Sequence, residues 1–188
     1  TLHLWITSDS GSRVDGWNVV NLQNHAGNMG ADFVNNGLTG YTMGDYSYGV
    51  GEPGCAAKTL TIAAHRADYM SNNTYHAGGL ATFSSHGPAY GEYTKPEVSA
   101  PGSYVVSSIS SRTTEIIQDV TATVVAGGKP YTWAPLSGTS MSSPAVAGMV
   151  ALMLQANPNL SVDQIRNIVF STARNDEMTG TIHANGTP

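Results

Sequence analysis

Residues 136–148 read Leu136-Ser-Gly-Thr-Ser-Met-Ser-Ser-Pro-Ala-Val-Ala-Gly148. Gly138-Thr139-Ser140 predicts a tight turn that delivers a serine to the first turn of a helix. The start of a helix has unpaired N–H groups and the positive end of the dipole. A serine hydroxyl held there can attack a carbonyl while its own backbone N–H faces the developing oxyanion. Pro144 suits the first helical turn, where a missing N–H costs nothing. Ser142–Gln155 is apolar nearly all round, with Ala145, Ala147, Gly148 and Ala151 as small residues, which predicts a buried helix that lets neighbouring backbone approach. Asn157-Pro158 stops it. A serine capping a core helix is the ordinary explanation of a serine in this position, so the string acquires meaning only beside the rest of the chain.

Downstream, Ser161-Val-Asp-Gln164 is a capping box. It predicts a helix over Val162–Ala173 that buries Val162, Ile165, Ile168 and Val169. Upstream, Glu115–Val125 alternates, turns at Gly127-Gly128 and returns over Lys129–Ala134 as a hairpin. Tyr104–Ser110 and Lys58–Ala64 predict strands, the second of them buried. Arg66–Tyr90 reads as mostly loop. Thr1–Ile6 alternates as a strand does, and residues 7–56 predict short antiparallel strands joined by long turns.

Composition narrows the classes of function. The 188 residues carry 13 acidic and 8 basic side chains, a net charge of −5. An acidic chain without a Lys/Arg cluster is a poor nucleic-acid binder. The longest apolar stretch, Ala145–Leu154, is half the roughly 20 residues that span a bilayer. A single cysteine, Cys55, excludes an internal disulfide framework and a cysteine-based zinc site. His3, His25, His65, His76, His86 and His183 show no ligand spacing and read as surface or loop residues. Gly127-Gly-Lys-Pro130 lacks the earlier Gly and the Ser/Thr of a phosphate loop.

The serine string, with its Gly-Thr-Ser-Met-Ser-Ser-Pro core, resembles the serine motif of subtilisin-like peptidases. Three further segments agree in order. Ala81-Thr-Phe-Ser-Ser-His-Gly-Pro88 and Lys95-Pro-Glu-Val-Ser-Ala-Pro-Gly102 look like the family's Phe-Ser-Ser-x-Gly-Pro and Lys-Pro-Asp-x-x-Ala-Pro-Gly pair. Val50-Gly-Glu-Pro-Gly-Cys-Ala-Ala-Lys-Thr-Leu-Thr-Ile-Ala-Ala64 looks like the strand before them. The resemblance covers about residues 50–175. Ala145 departs from the family, which has His there, and the hairpin accounts for the long separation of Gly102 from Gly138.

The resemblance implies an α/β fold: the C-terminal part of a subtilisin-like parallel-sheet domain (residues 50–188) with a buried nucleophile helix. Residues 1–49 are expected to be the end of an inserted β-sandwich. It further implies a serine endopeptidase acting through an acyl-enzyme on Ser140. Gly138 and Thr139 hold the turn, and the Ser140 N–H is an oxyanion donor. Gly51 and Glu52 are expected near the S1 pocket, where a carboxylate favours basic P1 residues. The triad's Asp, His and oxyanion Asn precede the serine in this family. Asp9-Ser10-Gly11 and His25-Ala-Gly27 lack the family context, and Asn72 and Asn73 stand on the wrong side of the Ile-Ala-Ala strand. All three groups are therefore expected from a missing N-terminal half of the domain, and the chain alone is expected to be inactive. An unpaired edge on the Lys58–Ala64 strand would then favour self-association. The competing readings are a non-catalytic pseudoprotease and a β-rich binding module resting on residues 1–50. The implied partner is a peptide or protein substrate, with no nucleic acid and no membrane span. No cofactor is implied. The family binds structural calcium, but no Asp-rich loop here identifies a ligand. The family also implies a secreted, cell-surface or periplasmic bacterial protein.

Overall fold

The computed structural model describes residues 6, 7, 9, 11, 12, 14–16, 34–66, 69–71, 74–76, 78–91, 93–113 and 119–174, though not the side chains of 69–71 and 74–76. The chain divides into two units, Thr1–Asp45 and Tyr46–Pro188. The described part of the first unit is turn and irregular backbone. Asn35 accepts the Gly37 N–H on its side-chain oxygen at 3.1 Å, and the Leu38 N–H reaches the Asn35 carbonyl at 2.8 Å. Such local side-chain bonds compete with strand ladders. The short strands expected over 7–56 are accordingly absent among the described residues. The strand expected at Thr1–Ile6 lies, except for Ile6, outside them.

In the second unit the elements run β1 (Ile62–Arg66), β2 (Tyr69–Ser71), β3 (Thr74–His76), β4 (Val98–Ser103), β5 (Val105–Ile109), β6 (Ala122–Ala126), β7 (Lys129–Leu136), α1 (Thr139–Ala156) and α2 (Val162–Thr172). β1 and β4 pair in parallel, Ile62 opposite Val98 and Ala64 opposite Ala100. α1 packs on both strands. Ile62, Ala100 and Val146 form the centre of this layer, with Leu60, Val98 and Val150 around it. A helix over parallel strands is the α/β arrangement expected. β2 and β3 form a small hairpin inside the span read as loop. β5, β7 and β6 make a separate antiparallel sheet in that spatial order.

The sequence placed the first strand too early. Residues 58–61 stay outside it, because the Thr61 hydroxyl donates to the Gly54 carbonyl at 2.6 Å and the Thr59 hydroxyl to that of Pro53 at 3.2 Å. The outer edge of β1 is also better covered than expected. The Ala64 N–H donates to Ser84 Oγ at 3.0 Å, and the Ala64 carbonyl accepts from the Ala81 N–H at 2.9 Å. The Arg66 N–H reaches the Gly79 carbonyl at 2.8 Å. From Ala64 onward, residues 78–84 occupy the edge that a further strand was expected to fill.

Both helices bury less than their patterns predict. Only Ser142 and Val146 are buried on α1, and Leu152 is 66% exposed. Among the described residues one layer, β1 and β4, lies against this helix, so one stripe of an all-round apolar surface is covered. On α2, Ile165 and Val169 are buried while Val162 and Ile168 are exposed. The capping box forms as read: the Gln164 N–H donates to Ser161 Oγ at 3.2 Å, and the Ser161 N–H to Gln164 Oε1 at 2.8 Å.

A buried charge cluster ties α2 to the sheet. The side chains of Lys95 and Glu97 are 1% and 8% exposed. Lys95 Nζ donates to the Thr59 carbonyl and, at 2.6 Å, to Glu97 Oε1, which also accepts from Arg166 Nη2 at 2.9 Å. Glu97 Oε2 accepts the Thr61 N–H at 2.8 Å. Glu97 thus satisfies two cations and one backbone donor, and removing it leaves the buried Lys95 charge with only the Thr59 carbonyl. Glu97→Ala should cost about 3–5 kcal/mol, the scale for breaking a buried ion pair from one side, measured by urea unfolding. His65 supplies a pH dependence. Burial, and secondarily the Arg174 charge, lower its pKa below the ordinary 6.5. As pH falls through that value, the unfolded chain takes up a proton that the folded chain resists. This contribution is present above pH 6.5 and lost below it. The melting temperature of His65→Gln should fall less than that of the unaltered chain between about pH 7.5 and about pH 5.5.

Candidate active site

The turn before α1 is held from below by β4. The Gly138 N–H donates to the Gly102 carbonyl at 2.7 Å. Ser142, fully buried, donates its hydroxyl to the Ala100 carbonyl at 3.0 Å. These two bonds lie on either side of Ser140 in sequence and end two residues apart on one strand. Gly102 makes them possible. A Cβ there would collide with Ser142 Oγ and stand 2.6 Å from the Ala64 Cβ and 2.9 Å from the Gly138 carbonyl oxygen. Gly138 is required for a different reason: its φ of 154° is a conformation that side chains disfavour, although a Cβ would have room. From the other side, the Tyr104 N–H donates to Ser137 Oγ at 2.9 Å.

Ser140 is the second residue of α1 and is exposed. Its backbone N–H belongs to the first turn, where no carbonyl four residues back lies within the helix to accept it. An accessible hydroxyl beside a free N–H at the positive end of an 18-residue helix can add to a carbonyl and hold the resulting oxyanion. Helix and turn therefore place Ser140, Gly138 and Thr139 together.

Thr139 also lines a cavity of about 330 Å³ with Val50, Gly51, Ser84, Ser85 and Ser143. Gly51 is thus beside the serine turn. Glu52 is exposed and is not among the cavity's lining residues. Among the described residues the lining includes no histidine and no carboxylate, and Ser140 itself is not part of it. Among the described residues no side chain hydrogen-bonds to Ser140 Oγ. His25, Asn72 and Asn73 lie outside the described residues. His65 and His86, read as surface or loop histidines, are half-buried. His65 Nδ1 lies 3.0 Å from Ser99 Oγ. His86 packs its ring 5.8 Å from that of Tyr46, and its Nδ1 is buried without a hydrogen-bond partner among the described residues. Among the described residues, no group of three or more His, Cys, Asp or Glu side chains could hold a metal ion.

Ser142 and Gly102 went unrecognised as site-building residues. Their signal was weak: Ser142 and Ser143 are equivalent in composition, and only the helical phase decides which faces β4. Gly102 stood inside a quoted motif without a stated role.

A family model described as the subtilase family matches residues 24–187. Serine protease AprX of Bacillus subtilis (strain 168) is 33% identical over 128 residues, which are 67% of this chain and 27% of AprX. Minor extracellular protease Vpr of the same organism is 38% identical over 95 residues, 50% of this chain and 10% of Vpr. Subtilisin-like protease SBT1.9 of Arabidopsis thaliana is 35% identical over 102 residues, 53% of this chain and 13% of that protein. The chain matches about a quarter or less of the length of each.

The packing at Gly102 is directly testable. Gly102→Ala should destabilise the chain by about 1–3 kcal/mol or more, the scale of overpacking. Adding Ser142→Gly, which removes the colliding hydroxymethyl group, should recover part of the loss. A double-mutant cycle by urea unfolding reads the coupling.

Proposed function

The chain belongs to the subtilase family, and on that premise we propose that Ser140 is the nucleophile of a serine endopeptidase. The reading is carried by one observation: an exposed serine in the first helical turn, fixed by the Gly138–Gly102 and Ser142–Ala100 bonds. Ser140 Oγ attacks the scissile carbonyl, and the Ser140 N–H stabilises the oxyanion. Gly138 and Thr139 set the turn, and Gly51 lines the neighbouring cavity.

The base, its orienting carboxylate and the oxyanion Asn come from an N-terminal half of the domain. The small share that the chain covers of its relatives supports this division. Joining the two halves would cover the exposed apolar side of α1. Without the partner half, that surface and the start of β1 favour self-association. The substrate is a peptide or protein. The word extracellular in the name of Vpr supports action outside the cell, and among the described residues no helix is long and apolar enough to cross a membrane.

A second reading has one observation in its favour. Among the described residues no side chain hydrogen-bonds to Ser140 Oγ, as a binding module derived from a peptidase would also show. A fluorophosphonate probe separates the two. A serine without its base is a weak nucleophile, and in subtilisin, of this same family, losing the base costs about 10⁶-fold in kcat. The 188-residue chain should label no faster than its Ser140→Ala variant. A longer form carrying the N-terminal half should label rapidly, and only at Ser140. Absence of labelling in that longer form would favour the binding module. Parent-like labelling of the chain alone would place a base within these 188 residues.

A further inference from the structure

We propose that the cavity between α2 and residues 93–97 binds a carboxylate carried on a small apolar body. The cavity measures about 270 Å³, and its polar lining includes Lys95, Glu97, Arg166 and Asn167. Pockets for drug-sized ligands run from about 300 Å³ upward, so this one suits a smaller molecule. Its charges do not cancel. Lys95 and Arg166 stand against the single carboxylate of Glu97, and among the described residues no other lining side chain is charged. Lys58 and Asp163, adjacent in sequence to the lining or one helical turn from it, lie 3.9 Å apart and offset each other. The cavity therefore keeps one unit of positive charge.

Hydrogen bonding leaves the same surplus. Glu97 Oε1 accepts from both Lys95 Nζ and Arg166 Nη2, and Oε2 accepts from the Thr61 N–H. The bond to Glu97 is the one hydrogen bond that Arg166 makes among the described residues. Its Nε is buried without a partner there, and an unpaired buried donor on a cation is destabilising. The Arg166 side chain is 25% exposed and lines the cavity, so an anion in the cavity has access to the guanidinium. A water molecule would satisfy an N–H but leave the charge. A carboxylate supplies an acceptor and the opposite charge together, and guanidinium geometry favours it.

The remaining walls select what carries the carboxylate. Phe170 is 62% exposed and Tyr93 is 51% exposed, and both line the cavity with Leu60. A ring on the ligand would cover these rings and gain from stacking on them. One surplus positive charge matches a monocarboxylate. Inorganic phosphate carries more charge than the cavity offsets and gains nothing from the rings. Two sources share this chemistry: a free aromatic acid, and a carboxylate on polypeptide outside these 188 residues. The site is also separate from the serine turn. Glu97 stands just before β4, and Gly102, which holds that turn, follows about 16 Å further along the strand.

The test is calorimetric titration of the 188-residue chain with sodium benzoate, with benzamide as the uncharged ring, and with inorganic phosphate, all at one ionic strength. Benzoate should bind with a Kd of about 1 mM or tighter, and at least about tenfold more tightly than either of the others. Arg166→Gln removes the surplus charge and should lose about tenfold or more of that affinity. Phe170→Ala, at an exposed position, should lose about threefold or more. Melting curves check the fold, and Phe170→Ala decides the matter if Arg166→Gln unfolds. A longer form carrying the N-terminal half separates the sources. Benzoate binding kept in that form assigns the site to a free acid. Binding lost there but present in the shorter chain assigns the carboxylate to the rest of the polypeptide. Absence of benzoate binding to the 188-residue chain, equal binding of benzamide or phosphate, or undiminished affinity in a folded variant overturns the proposal and leaves the surplus charge to water and solvent ions.

Discussion

The contact between the end of β4 and the turn before α1 sets the position of everything that could react. Gly102 lets the Gly138 amide and the Ser142 hydroxyl reach the same strand. Two bonds to one strand, on either side of Ser140, define the height and direction of the helix start. Without them the start of α1 would be attached to β7 only through Ser137 and Gly138. With them the Ser140 hydroxyl and N–H share one rigid frame, the requirement for stabilising charge that appears only during reaction. The position of the exposed Ser140 hydroxyl is therefore carried by Gly102, Gly138 and Ser142 and not by the serine's own contacts.

The same helix shows what this unit leaves unfinished. Exposed Met149, Leu152 and Leu154 share α1 with buried Val146. Burying a side chain such as leucine is worth about 1.5–3 kcal/mol. An 18-residue helix with one covered stripe thus leaves a large favourable term unused. α2 is different. Its attachment is electrostatic as well as apolar, through Arg166 to Glu97 and Lys95, so it is held even though Val162, Ile168 and Phe170 remain in contact with solvent. The two helices divide their roles: α2 is anchored by charge, and α1 offers apolar surface.

How much of this was legible in the sequence depended on the range of the interaction. The capping box at Ser161 and Gln164, the Gly127-Gly128 turn and the position of Ser140 at a helix start all rest on residues within a few places of one another, and each formed. Yet α1 begins at Thr139, three residues before the expected Ser142, and so takes Pro144 inside it and not in its first turn. Burial failed where it depended on distant chain. All-round apolarity in Ser142–Gln155 states what the helix would bury given enough neighbours, not what β1 and β4 can cover. The edge of β1 was misjudged for the same reason. Ser84, twenty residues away, supplies the acceptor that a missing strand was expected to provide. The Lys95–Glu97–Arg166 cluster was invisible because 69 residues separate Glu97 from Arg166. Glycine was legible in motif but not in role: Gly138 is needed for its φ, Gly102 for the space it leaves empty.

Position and reactivity are separable in this architecture. The serine's place is fixed within residues 98–143 by hydrogen bonds and a close glycine contact. Its reactivity depends on a base, and among the described residues no side chain hydrogen-bonds to its hydroxyl. A hydroxyl with an ordinary pKa does not attack an amide at a useful rate, however well it is placed. Packing requires Gly102 and Ser142 and backbone conformation requires Gly138, because replacing any of them disturbs the join between sheet and helix whether or not chemistry follows. The motif around Ser140 consequently reports the fold more strongly than the activity. An ordered hydroxyl is thus a necessary part of such chemistry and not a sufficient one: the same hydrogen bonds would hold Ser140 in place with or without a base beside it.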